Sequence, residues 1–205
     1  MPRAIIGGVV GFAALLAGIV APVTPARAQE GGFLPRAPEA AFLQAGDLPP
    51  GFEEFTLPVL PALSYTRLQN VAITETVYRR PTRTGGMLVW NVAFRTREPA
   101  TADQLGRWAA GFFGWLAANV RETEYTEHTV LDSPAIGEEA VLVSFHHAAR
   151  EYPIAGDGAL LAFRRGEVVV LLLVENLDGR ALDDARDYAS LLDARLQREG
   201  TSAGR

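Results

Sequence analysis

The chain has 205 residues, 48% hydrophobic and 21% charged, enough for one domain with one sizeable core. It has no Cys, which excludes disulfide scaffolds, Cys-ligated zinc or iron–sulfur sites and thiol catalysis. All 19 basic residues are Arg, and the absence of Lys removes Schiff-base, P-loop and Ser–Lys chemistry.

The first 28 residues have the pattern of a Sec-type signal peptide. Arg3 gives a positive start, Ala4 to Ala26 carry no charge, and Ala26, Arg27 and Ala28 form a small-x-small site with cleavage after Ala28. The alternative is a retained N-terminal membrane anchor, because the uncharged run approaches the ~20 residues needed to span a bilayer. Gly7, Gly8, Gly11, Gly18 and Pro22 favour the cleaved form. Removing residues 1–28 leaves 177 residues, with 17 Arg against 24 acidic side chains and a net charge of −7. Such a body is poorly suited to phosphate backbones or anionic lipid, so neither nucleic-acid binding nor stable membrane insertion after cleavage is expected.

Residues 29–37 are expected to be a flexible tether, 38–198 a single globular domain and 199–205 a disordered tail. A short helix fits Pro38 to Ala45, stopped at Gly46. Leu48 to Phe52, with Pro49, Pro50 and Gly51 between, turns into a first strand at about 52–57. Runs 71–80 and 86–96 form a hairpin about residues 81–85. Thr101 and Gln104 make a capping box, and the helix it opens places Leu105, Trp108, Ala109, Phe112 and Leu116 on one stripe. Strands follow at about 122–131, 138–149, 158–164 and 167–175, with turns at 132–137, 155–158 and 165–166. A last helix, about 180–198, aligns Leu182, Ala185, Tyr188, Ala189, Leu192 and Leu196, with acids early and Arg195 and Arg198 late, as its dipole prefers.

The strand Val168 to Val174 settles the expected architecture. It is apolar without alternation, so both of its faces are buried. Short connections require mainly antiparallel pairing. The expected fold is therefore α+β: a three-layer α/β/α sandwich with about six to seven strands, a helix on each face and a short N-terminal helix.

This order of elements, with Ala41 to Phe52, Ala162 to Val170 and the closing helix, resembles secreted bacterial domains of the Mog1/PsbP-like fold. The LpqN-type lipoproteins and the sensor domains of PknH-type kinases are among them. The resemblance implies extracytoplasmic binding or sensing, usually without catalysis. The chain departs from those relatives in lacking a lipidated Cys, disulfide cysteines and a kinase.

Chemistry-bearing residues are few. If the 122–131 and 138–149 strands close about 132–137, His128 faces Val141, and His146 and His147 face Thr123 and Glu122. The three histidines then cannot share a metal, and His146 and His147 point to opposite faces. Ser144 lies ~7 Å along the strand from His146, too far for a nucleophile–base bond. The acidic pairs Glu53–Glu54, Glu138–Glu139 and Asp183–Asp184 are sequence neighbours rather than carboxylates facing across a cleft. Trp90 and Trp108 belong to the core, whereas Trp115 falls off the helix stripe as an exposed contact.

The speculative contact set for an anion or a partner is basic: Arg79, Arg80 and Arg83 at one hairpin tip, Arg164 and Arg165 at another turn. Solvated strand ends are the plainer explanation of these arginines. No catalytic, metal or cofactor-binding residue is assigned, and no cofactor is expected. The expected function is a non-enzymatic module outside the cytoplasm, secreted or periplasmic, that binds a small molecule or an envelope protein. The alternatives are an enzyme with dispersed residues, Glu122 and His147 foremost, and a structural or assembly protein of the envelope.

Overall fold

The computed structural model describes residues 34–55, 71–82, 85–119, 123–131, 134–149, 155–176 and 178–203. The expected export segment, its expected cleavage point after Ala28, Arg83 and Glu122 lie outside them. Strands β1 (Glu53–Glu54), β2 (Thr74–Thr82) and β3 (Gly85–Arg95) precede helix α1 (Ala102–Asn119). Strands β4 (Thr123–Leu131), β5 (Glu139–Ala149), β6 (Ala155–Arg165) and β7 (Val168–Asn176) then lead to helix α2 (Ala181–Ala203). The fold is α+β, with one antiparallel seven-stranded sheet in the order β1-β2-β3-β7-β6-β5-β4.

The last strand in sequence lies between β3 and β6 because it is the most apolar. Its alternate residues divide between two hydrophobic clusters. Val168, Val170, Leu172 and Val174 pack with Ala181, Ala185, Ala189, Leu192 and Leu196 of α2. Val169, Leu171 and Leu173 pack with Leu105, Trp108, Ala109, Phe112 and Leu116 of α1. The α1 stripe and its capping box are as the sequence predicts. Thr101 N donates to Gln104 Oε1 at 2.8 Å, and Gln104 N to Thr101 Oγ1 at 3.3 Å. Trp115 is half-buried rather than exposed, edge-on to Trp90 at 5.9 Å.

Three local expectations change. The N-terminal helix is replaced by two short 3-10 turns, Glu39–Ala41 and Ala45–Asp47. Phe42 is extended between them, and Leu43 N leaves the local ladder to donate to Asn91 Oδ1 on β3 at 2.8 Å. Residues 155–158 belong to β6, extending it before the expected start. Helix α2 runs on to Ala203, because adding a turn to an established helix costs far less than starting one. Among the described residues, no helix is long and apolar enough to cross a membrane.

Candidate functional site

The arginines singled out by the sequence are spread over the sheet. Arg79 and Arg80 are adjacent on β2 and so face opposite ways. Arg79 Nε donates to Glu53 Oε1 at 3.0 Å, with its guanidinium 4.3 Å from the Phe55 ring centroid. Arg80 reaches the Met87 sulfur and lies 5.3 Å from the Phe52 ring. Arg164 pairs with Glu138, while Arg165 grips both oxygens of Asp193 at 2.8 Å each. The row containing Arg79 crosses Leu88 and Glu175 to reach β6 at Gly158. Arg164 stands six residues further along β6, roughly 20 Å away at the usual strand rise. The two Arg pairs therefore do not form one patch.

The histidines also separate. His147 pairs with Tyr125 and His146 with Thr126, three positions from the expected register. The cause is the 134–138 segment. Gly137 adopts φ +68°, Glu138 N bonds Arg164 O at 2.9 Å, and β5 starts on β6 before it meets β4 at Leu142 and Leu131. His146 Nδ1 lies 3.3 Å from Asp157 Oδ1 beside a cavity of about 270 Å³, which Ser144 also lines. The Ser144 hydroxyl donates instead to the Thr129 carbonyl at 3.5 Å, so nucleophile and base are not joined. No group of three or more acidic or histidine side chains among the described residues could hold a metal.

His147 is only 7% exposed, and its Nε2 is buried without a hydrogen-bond partner among the described residues. Near it Tyr125 OH donates to Glu175 Oε1 at 2.9 Å. Burial pushes the Glu175 carboxyl above its ordinary range, against the opposing pull of His147 and of the Tyr125 hydrogen bond. Burial also pushes the Tyr125 phenol up, and the Glu175 charge adds to the effect. The rings of Phe113, Tyr125 and Phe145 pack over this group with centroids 5.3–6.0 Å apart. The Phe145 ring occupies the space a Cβ at Gly158 would need, so only glycine fits there. Sequence reasoning passed over Glu175, although its period-two spacing from Val169, Leu171 and Leu173 directs it to the same buried side.

A different place combines room with unused hydrogen-bonding capacity. The segment before β1 is held on β2 and β3 by Leu43 N to Asn91 Oδ1, by Tyr78 OH to Leu43 O at 3.2 Å and by Arg36 Nε to Thr74 Oγ1 at 2.9 Å. Arg195 secures it from α2 through Asp47, one of the two bonds being 2.8 Å. Between this segment and β2 lies a cavity of about 410 Å³, within the range of small-molecule sites. Phe42 and Leu43 form an apolar wall, Thr74 and Thr76 a polar one, and Arg36 and Glu39 are exposed at its border.

Thr76 faces Asn91 across the β2–β3 ladder. Thr76 Oγ1 and Asn91 Nδ2 are both buried without a hydrogen-bond partner among the described residues, and Asn91 is 0% exposed. Such orphaned groups are costly and rare. The sequence signal was Asn91 itself, a lone amide in the apolar strand Val89 to Phe94. A larger groove of about 710 Å³ runs beside Val168 and Leu196. Its Arg165 and Glu138 are already committed to Asp193 and Arg164.

No protein-family model matches the chain, and neither a curated protein nor a solved structure matches it.

Proposed function

We propose that the mature chain is an exported, non-enzymatic binding module of Mog1/PsbP-like form, holding a small molecule between its N-terminal segment and β2. The observation that carries this reading is the 410 Å³ cavity itself, walled by Phe42 and Leu43 on one side and by Thr74 and Thr76 on the other, with the exposed Arg36 and Glu39 among its lining residues. Export is supported by Arg3, the uncharged run after it and the Ala26-to-Ala28 site. The two hydrophobic clusters, one containing α1 and the other α2, support a three-layer α/β/α sandwich.

Exported protein with an intact mass beginning at Gln29 is expected, and a mass beginning at Met1 overturns the export reading. For the cavity, thermal unfolding is followed with a panel of small acids, amines, zwitterions and neutral polyols, on wild type and Thr76→Val. A true ligand at about 100-fold its Kd stabilises by about 2.7 kcal/mol, or roughly 5–10 °C in Tm. Thr76→Val is expected to keep or raise the ligand-free Tm, because it deletes an orphaned hydroxyl, and to abolish the ligand-induced rise. No shift with any compound, together with a lowered Tm in Thr76→Val, overturns the binding reading. A shift that survives Thr76→Val but is lost in Arg79→Glu/Arg80→Glu moves the site to the hairpin tip.

A further inference from the structure

We propose that the Asp178–Gly179 peptide is a site of spontaneous covalent modification, where conversion to isoaspartate loosens the junction between β7 and α2. The sequence offers this chemistry two Asp-Gly pairs, Asp157–Gly158 and Asp178–Gly179, because a glycine leaves the peptide nitrogen after an aspartate unshielded. The fold separates them. Gly158 is buried inside β6, paired with Phe145 and Glu175, and the Asp157 carboxylate faces His146 Nδ1 at 3.3 Å. A nitrogen fixed in a sheet between two neighbouring strands does not turn toward the preceding side chain. Asp178 and Gly179 are instead exposed, between the end of β7 and the start of α2. Gly179 has φ +77°, with open space where a Cβ would stand.

The turn also brings the reacting atoms together. Asp178 Oδ1 accepts from Arg180 N at 3.2 Å, and the ring closed by that bond runs through Gly179 N, beside the Asp178 carboxyl carbon. Gly179 N attacks that carbon, a C–N bond forms, and the carboxyl OH leaves with the amide proton as water. Water then opens the resulting succinimide. Breaking the new bond restores Asp178, whereas breaking the original peptide bond leaves the chain running through the side chain, one methylene longer. No reagent other than water takes part. The added methylene draws Asp178 N from Asn176 Oδ1 and Arg180 N from its acceptor. Asn176 Nδ2 also holds Asp184 of α2 at 2.8 Å, so the start of α2 loses part of its fastening to β7.

The test is incubation of the folded protein in warm neutral buffer, then peptide mapping with electron-based fragmentation, which tells isoaspartate from aspartate at a single position. Isoaspartate is expected to accumulate at least about tenfold faster at 178 than at 157 in the folded protein, and at comparable rates at both in urea. Asp178→Asn keeps an acceptor for Arg180 N and is expected to form isoaspartate at 178 faster than wild type, ammonia leaving in place of water. Asp178→Glu closes only a larger, unfavourable ring and is expected to hold its Tm through an incubation in which the wild-type Tm falls. Equal accumulation at 157 and 178 in the folded protein, or none at 178 while the chain in urea forms it there, overturns the site. No acceleration in Asp178→Asn overturns the attack by Gly179 N. A Tm that falls equally in Asp178→Glu overturns the loosening of α2.

Discussion

Glu175 is the residue most at odds with its surroundings, an ionisable group on the inward side of the most apolar strand, covered by three aromatic rings. Because its folded pKa lies above the unfolded value, the native state holds its proton more tightly than the unfolded chain does. The group's contribution to stability is thus fully present below the unfolded carboxylate pKa of about 4.3 and is lost as pH rises through the folded value. Glu175→Gln keeps an acceptor for Tyr125 OH and removes the ionisation. The variant is expected to exceed wild type in Tm at pH 8, with the difference shrinking toward pH 4.5. An equal loss of Tm at both pH values would show that the fit of the carboxylate against Tyr125 OH outweighs the desolvation of Glu175. The orphaned Thr76 and Asn91 are the second residue-scale anomaly, and Asn91 lies between Trp90 and Val92 in an otherwise apolar stretch of β3.

Among the elements, the segment holding Asp47 shows what sequence patterns can and cannot reach. Helix α1 was legible because every determinant is local: a cap at Thr101 and Gln104, and a stripe repeating at three and four residues. The 34–48 segment was not, because its conformation is set by Asn91, Tyr78 and Arg195, the last of these 148 residues from Asp47. The β4–β5 register failed for a related reason, since residues 134–138 lie along β6 instead of closing a simple hairpin. Burial raises the Asp47 carboxyl, but the Arg195 hydrogen bond, the Gln44 backbone N–H and the Arg195 charge outweigh it and hold the pKa low. A depressed pKa means stability that is present above the unfolded value and lost as pH falls through the folded one. Asp47→Asn is therefore expected to cost about 1.5–3 kcal/mol at pH 7, the scale of hydrogen bonds to charged groups. Denaturant unfolding at pH 7 and at pH 2.5 should show the penalty fading in acid; an undiminished penalty at pH 2.5 would place it in packing.

At the scale of the whole molecule, the proposed three layers make a distinction that β7 can test. Leu171 and Leu172 are neighbours in sequence and both fully buried, yet Leu171 belongs to the cluster of α1 and Leu172 to that of α2. Trp90, Trp108 and Trp115 all lie with Leu171, so tryptophan emission reports one side of the sheet alone. Leu171→Ala and Leu172→Ala should each cost about 2–5 kcal/mol, because a central strand buried on both faces leaves neither cavity open to solvent. They should differ in the folded-state spectrum. Leu171→Ala is expected to shift native tryptophan emission and near-ultraviolet dichroism, and Leu172→Ala to leave both unchanged at equal loss of stability. Equal spectral change from the two variants would mean that the two clusters behave as one core. The same division explains how a domain without disulfides can carry an unfilled cavity. The cavity lies on the side of Leu172, among Phe42, Leu43 and Thr76, whereas on the α1 side Trp90 meets Phe112 and Trp115 edge-on.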